Sequence, residues 1–181
     1  MTNSILILAS GSPRRAKILR ELGVAFDVVK TDAPEVSYPG DPERTVRENA
    51  LAKGAVLRPS SPPSRHVLSA DTIVWLDGRI YGKPRDVAEA KAFLRELSGR
   101  THAVFTGVAY DGEARVVRSD VTFRPLTEEA IDTYVAKVNP LDRAGAYDID
   151  ACGELLVESH TGRYENIMGL PVEPLKEWGI V

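Results

Sequence analysis

The stretch VLSADTIVWLDGRI, residues 67–80, predicts the central strand of the fold. It begins with a run of mainly apolar residues that has the length of a buried strand, and Asp77-Gly78 then gives a strong hairpin signal. Alternate strand residues lie on opposite faces, so Asp71 shares its face with Ile73. A carboxylate in such a strand is costly unless it is paired, hydrogen-bonded or bound to a metal. Asp71 is therefore a candidate functional residue, and a satisfied structural aspartate is the alternative.

Before this strand, the sequence predicts two units of a strand followed by a helix. Short apolar runs indicate the strands, and each helix begins with a capping residue followed by proline, which is tolerated in the first turn. The predicted elements are strands at 5–8 and 24–29, a helix from Ser12-Pro13 to Gly23, and a helix from Asp41-Pro42 to about residue 57 with Val46, Ala50 and Val56 facing inward.

After the central strand, the pattern changes to antiparallel pairs and further helices. Predicted here are a helix from Asp86 to Ser98-Gly99, two strands flanking Asp111-Gly112, a helix from Thr127, a strand near 154–159 and a short final helix. Parallel-type alternation at the start combined with hairpins predicts an α/β fold, a mixed sheet flanked by helices. The length fits one domain over residues 1–181.

The bulk properties are those of an ordinary globular chain. Hydrophobic residues make up 43% and charged residues 27%, and the formal net charge of −3 argues against general nucleic-acid binding. Cys152 is the only cysteine, so no internal disulfide can form, and we expect it to be a small core residue. The first apolar run is too short to span a membrane, and no positive charges precede it. We expect a cytoplasmic protein without a membrane partner.

The loop after the first strand has the features of an anion site. Ser10, Gly11 and Ser12 bring backbone N–H groups to a helix start, and Arg14 and Arg15 follow at the positive end of the helix dipole. A bound phosphate would turn that unfavourable placement into charge-assisted hydrogen bonds, because the guanidinium fork suits phosphate oxygens. The alternative is that both arginines point into water.

Three further charged residues gain interest only if they converge on this loop. Glu35, Lys53 and Lys83 are each, taken singly, more typical of a solvated surface. Together with Asp71 and the arginines, they supply the cations and paired carboxylates that a magnesium-bound polyphosphate requires. The three histidines have no metal-ligand spacing.

The sequence resembles the Maf family of nucleoside triphosphate pyrophosphatases along nearly its whole length. The resemblance is carried by LASGSPRR at 8–15, Glu35, ALAKGA around Lys53, SADTIV at 69–74, GKP at 82–84, LSGRTHAVFTGV at 97–108, LDRAGAY at 141–147 and GLPV at 169–172. It implies an elongated, two-lobed α/β fold related to the inosine triphosphate pyrophosphatases, with a cleft between the lobes and commonly a homodimer. It also implies hydrolysis of a nucleoside triphosphate to a monophosphate and pyrophosphate with Mg²⁺ or Mn²⁺.

The resemblance also implies roles for individual residues. Asp71 would be the catalytic acid/base residue and would hold the metal together with Glu35. The loop residue Ser10 remains a substrate-binding candidate, and the resemblance assigns phosphate binding to Arg15, Lys53 and Lys83.

The resemblance gives mixed indications of which nucleobase the protein prefers. Arg14 and Thr72 match the members that act on dTTP and UTP, but GAYDID replaces their GAYGIQ and puts Asp150 in place of glutamine. An acid there resembles the subgroup that acts on 7-methyl-GTP, which differs at the other two positions. We therefore expect dTTP and UTP, with modified pyrimidine nucleotides as further candidates and 7-methyl-GTP as the alternative. A non-catalytic nucleotide-binding regulator of cell division is the rival from another class, since the family was first associated with septum formation.

Overall fold

The computed structural model describes residues 5–62 and 64–181. A seven-stranded mixed sheet forms the centre of the molecule, with helices packed on both of its faces, which confirms the predicted α/β class. The strands are β1 (Leu6–Ala9), β2 (Phe26–Val28), β3 (His66–Leu76), β4 (Arg79–Tyr81), β5 (Thr101–Tyr110), β6 (Glu113–Phe123) and β7 (Val157–Thr161). The helices are α1 (Pro13–Glu21), α2 (Pro42–Leu57), α3 (Val87–Leu97), α4 (Glu128–Lys137), α5 (Tyr164–Ile167) and α6 (Glu173–Glu177).

The pairing of β3 leaves a gap along one of its edges. The sheet order is β2-β1-β3-β5-β6-β7, with β1 parallel to β2 and β3 and the remaining pairs antiparallel. On one edge, β1 pairs with residues 66–69 of β3 and β4 pairs with residues 74–76. Within residues 5–62 and 64–181, positions 70–73 therefore have no strand neighbour on that side.

Two separate hydrophobic clusters pack on the sheet face that carries Thr72. One contains Leu68 and Ala70 of β3 with the apolar residues of α1 and α6. The other contains Val74 and Leu76 with the apolar residues of α3 and α4. Thr72 lies between them along the strand, and its hydroxyl is 3.0 Å from that of Thr106 on β5. The described core is thus divided at a polar position; the prediction of one two-lobed domain over residues 1–181 stays a prediction.

Helix α2 packs on the opposite face, close to the sheet backbone. Val46 and Ala50 are fully buried as predicted. Gly107 of β5 permits the close approach, since a Cβ there would lie 2.3 Å from the Val46 carbonyl oxygen. The inward placement predicted for Val56 is wrong: it is 47% exposed, because six residues beyond Ala50 amount to about 120° of rotation away from the buried face.

The C-terminal third departs most from its sequence pattern. The last strand is Val157–Thr161 rather than 154–159, and residues 140–142, 144–146 and 153–155 form single 3-10 turns that the pattern did not predict. Cys152 is half-buried against the α3–α4 cluster, as expected of a small core residue. No helix of the described residues is long and apolar enough to cross a membrane.

Candidate active site

A cavity of about 740 Å³ opens at the gap along β3. Asp71 and Thr72 lie in that gap on opposite faces of the strand, so the cavity reaches both sides of the sheet edge. It has the size of a small-molecule site. Its lining contains every predicted site residue except Asp150, namely Ser10, Arg14, Arg15, Glu35, Lys53, Asp71, Thr72 and Lys83.

Lys53 joins the two predicted metal-binding carboxylates. Its Nζ lies 2.5 Å from Asp71 Oδ1 and 2.8 Å from Glu35 Oε1. The Asp71 side chain is buried and that of Glu35 is exposed. Two carboxylates from distant segments therefore meet at one cationic group, which is the convergence that the predicted metal and phosphate site requires.

Asn49 orients this cluster, and sequence reasoning missed it. Its Nδ2 donates to Asp71 Oδ2 at 3.1 Å and to the Val36 carbonyl oxygen at 3.0 Å, while its Oδ1 accepts from the Val36 N–H at 2.8 Å. Asn49 thus ties the loop that carries Glu35 to the strand that carries Asp71. The signal was present, because Thr45, Asn49 and Lys53 recur every four residues and form a polar stripe along α2.

Arg15 lies on the Thr72 side of the gap and is held by three hydrogen bonds. Its Nη2 donates to Thr72 Oγ1 at 3.1 Å, its Nη1 to Ser10 Oγ at 3.0 Å and its Nε to the Gly169 carbonyl oxygen at 2.8 Å. Burial lowers the pKa of Arg15 to about 10, against the opposing influence of Asp71. Arg15 therefore remains charged at neutral pH and faces the cavity as a fixed cation.

The loop before α1 has a different hydrogen-bond pattern from the one predicted. Ser12 occupies the N-cap position, but its hydroxyl makes no capping hydrogen bond to the helix. The Ser12 backbone N–H donates to Ser10 Oγ at 3.2 Å. The first turn of α1 contains no acidic residue. The Ser12 hydroxyl thus leaves the helix start uncapped beside Arg14 and Arg15, in keeping with the predicted anion site.

Arg14 forms part of a partly buried ion cluster around a carboxylate that sequence reasoning missed. Its Nη1 donates to Asp148 Oδ2 at 3.2 Å, and Arg143 Nε lies 2.9 Å from the same oxygen. Burial, reinforced by the nearby charge of Arg143, lowers the pKa of Arg14. Asp148 is 6% exposed and lines the cavity.

Comparison with known proteins agrees with this fold. A family model described as Maf-like protein matches residues 5–178. The chain belongs to the Maf family. It is 45% identical over 174 residues to a protein of Bacillus cytotoxicus named dTTP/UTP pyrophosphatase, covering 93% of this chain and 91% of the relative. It is 44% identical to proteins of the same name from Bacillus mycoides and Bacillus cereus, each covering 94% of this chain and 91% of the relative.

Two predicted site residues of this Maf chain form ion pairs of their own. Lys83 lines the cavity, and its Nζ lies 2.5 Å from Asp142 Oδ1. Asp150 lies outside the cavity, where its exposed carboxylate pairs with Lys17 at 2.6 Å and accepts from the Tyr164 hydroxyl at 3.3 Å. Within the GAYDID segment, the structure thus brings Asp148 to the cavity and leaves Asp150 on the surface.

The donor set of this Maf site suits a hard divalent cation. Among the described residues, no group of three or more histidine, cysteine, aspartate or glutamate side chains could hold a metal. The Glu35 and Asp71 carboxylates converge on the Lys53 ammonium, a position that favours positive charge. Magnesium is commonly held by one or two carboxylates together with substrate phosphates. The residues present therefore fit Mg²⁺ or Mn²⁺ that shares its coordination with a substrate.

Proposed function

We propose that this chain is a nucleoside triphosphate pyrophosphatase that hydrolyses dTTP and UTP to the monophosphate and pyrophosphate. The observation that carries the proposal is the Glu35–Lys53–Asp71 cluster in the same cavity as Arg15. The name of the Bacillus relatives, dTTP/UTP pyrophosphatase, supports the substrate class.

The phosphate chain binds to cations that come from three parts of the sequence. Arg15 is held rigidly at the β3 gap, Lys53 lies beside Asp71, and Lys83 lines another part of the cavity. Ser10 supplies a hydroxyl beside Arg15. Bound phosphates would draw Lys53 and Lys83 from their present carboxylate partners, because a polyphosphate carries more negative charge than a single carboxylate.

Asp71 acts as the general base in this proposal. Asn49 fixes one of its oxygens, and the other accepts the proton of a water that attacks phosphorus at the α–β bridge. The bond to the bridging oxygen breaks, and pyrophosphate leaves with its charge stabilised by Arg15, Lys53 and Lys83. Mg²⁺ or Mn²⁺ held by Glu35 and Asp71 would supply charge neutralisation and lower the pKa of a coordinated water.

In this proposal, the nucleobase of the substrate lies on the Thr72 side of the gap, next to Arg14. Modified pyrimidines would enter the same pocket. The 7-methyl-GTP alternative depended on Asp150, and that residue lies outside the cavity beside Lys17. The cytoplasmic location, the homodimer and the link to septum formation stay predictions.

Pyrophosphate release with dTTP, UTP, CTP, GTP and 7-methyl-GTP, each with Mg²⁺ or Mn²⁺, tests the proposal. We expect turnover of dTTP and UTP, and we expect Asp71→Asn to lower kcat by about 10²-fold or more, the usual contribution of a general base. Asp77→Asn is the matched control, because Asp77 directly follows the same strand, is exposed and has a left-handed backbone that asparagine tolerates. Nucleotide binding without product would favour the regulator instead, and a fully active Asp71→Asn variant would remove Asp71 from its role.

A further inference from the structure

We propose that Asp148, together with Arg14, reads the keto and imino edge of the pyrimidine, an inference that rests on the proposed function. Asp148 determines which base the cavity accepts, and it does so from a position two residues before the one that the family resemblance indicates.

The placement of Asp148 is fixed by its own backbone. Its N–H donates to the Tyr134 hydroxyl at 2.8 Å, and that hydroxyl is 3.4 Å from the Asp148 carbonyl oxygen. Tyr134 is fully buried in the α3–α4 cluster. A side chain anchored to the core in this way keeps one orientation toward the cavity, as a specificity residue must.

The contacts of the Asp148 carboxylate leave room for one more donor. Arg14 and Arg143 both contact Oδ2, and the Asp150 N–H donates to Oδ1 at 3.0 Å. A carboxylate has about four acceptor positions. These three contacts leave about one of them for a ligand.

This arrangement complements uracil and thymine. Their O4 is an acceptor and the neighbouring N3–H is a donor, so a guanidinium beside a carboxylate supplies the opposite pair. Arg14 lines the cavity and donates to O4, while Asp148 accepts the N3–H. Cytosine presents the reverse pair, an amino donor and an acceptor N3. Its amino group would face the Arg14 donor, and its N3 would face the Asp148 carboxylate.

Guanine is the closest competitor. Its O6 and N1–H repeat the pattern of uracil O4 and N3–H, but its amino group adds a second donor beside N1–H. A carboxylate with about one free acceptor position satisfies one of those two donors and leaves the other unpaired, which costs affinity. The pair Arg14 and Asp148 therefore favours the pyrimidines.

The test compares Asp148→Asn with Asp150→Asn. In the first variant, the asparagine carbonyl oxygen faces the two arginines, which only donate, and its amide nitrogen replaces the free acceptor. We expect kcat/KM for UTP and dTTP to fall about tenfold to a hundredfold, the range for a lost hydrogen bond to a charged group, while that for CTP stays level or rises. Asp150→Asn should leave the ratio of UTP to CTP unchanged.

A second readout separates base reading from stability and from turnover. The dissociation constants of UMP and CMP can be measured by calorimetry for the wild type, Asp148→Asn and Asp150→Asn without any hydrolysis. They should show the same loss of uridine preference in Asp148→Asn alone. Asp148→Ala serves as a second variant if the asparagine form is unstable. A merely structural Asp148 would weaken all nucleotides equally, and that result would overturn the inference. So would a change of preference in Asp150→Asn alone, or a wild-type preference for GTP or 7-methyl-GTP. Absence of pyrophosphate release by the wild type would refute the proposed function, while the UMP and CMP affinities would still decide the role of Asp148.

Discussion

Replacement of Gly107 by alanine is expected to displace α2 from the sheet and lower turnover in a protein that still folds. Gly107 lies directly opposite Asp71 in the pairing of β3 with β5. A Cβ at this position would lie 2.3 Å from the carbonyl oxygen of Val46 and 2.5 Å from its carbonyl carbon. Both are backbone atoms, so rotation of a side chain cannot relieve the clash.

The size of the effect follows from that distance. Ordinary contacts of a Cβ begin at 3.4 Å, so the backbone of α2 must retreat by about 1 Å, and overpacking of this kind costs about 1–3 kcal/mol. Asn49 and Lys53 lie on the next two turns of the same helix and would move with it away from Asp71. A misplacement of about 1 Å at a catalytic group can lower the rate about 10²-fold.

The assay is kcat/KM for pyrophosphate release from UTP, read together with the thermal unfolding midpoint. We expect the midpoint to fall by about 2–4 °C for each kcal/mol lost. Gly40→Ala is the matched control, because nothing lies within 4 Å of a Cβ there. Gly54→Ala is an intermediate case, since its Cβ would meet the Ser69 hydroxyl at 2.9 Å. If Gly107→Ala behaved like Gly40→Ala in both measurements, the close approach of α2 would not be what positions Asn49 and Lys53.

Two further predictions concern buried polar side chains. Asn49→Ala removes the bond to Asp71 and both bonds to Val36, so kcat for UTP should fall about tenfold or more while Asn139→Ala, at an exposed turn, leaves it unchanged; equal kcat in the two variants would contradict the role given to Asn49. His102 is fully buried, and burial lowers its pKa from 6.5 to about 4. Between those values the unfolded chain binds a proton that the folded protein excludes, so the free energy of unfolding should fall by about 1.4 kcal/mol per pH unit on acidification. Urea unfolding at pH 7 and pH 5 should show that dependence in the wild type and lack it in His102→Gln, and parallel curves for the two proteins would refute the assignment.

Sequence patterns predicted the elements of the site better than their assembly. The apolar run around Asp71 and the turn after it were sufficient to predict a buried carboxylate in a strand that continues into a hairpin. The gap beside Asp71 depends on where β1 stops and β4 begins, at residues 69 and 74 of β3. Register between distant strands is set by tertiary packing and leaves no local signal.

The sequence likewise could not show whether Asp148 or Asp150 faces the cavity. Both are acids in one irregular segment, so neither a helical nor a strand period predicts which of them faces inward. The choice is made by the Tyr134 hydroxyl, which belongs to α4 and holds the backbone of Asp148. Glu35 likewise lies in a segment without regular structure, and a side chain on another element, Asn49, places it.

The alternation of neighbouring side chains on β3 separates the base-binding part of the proposed site from the Asp71 cluster. Asp71 and Thr72 are adjacent in the chain yet project to opposite sides of the sheet, among different partners. In the proposed enzyme, substitutions on the Thr72 side that spare Arg15, which is bonded to Thr72, can therefore change which base is admitted without disturbing Asp71, Asn49 and Lys53 on the other side. Under the proposed function, a lineage could change its nucleotide by drift on one side of a single strand while its chemistry stayed constant on the other.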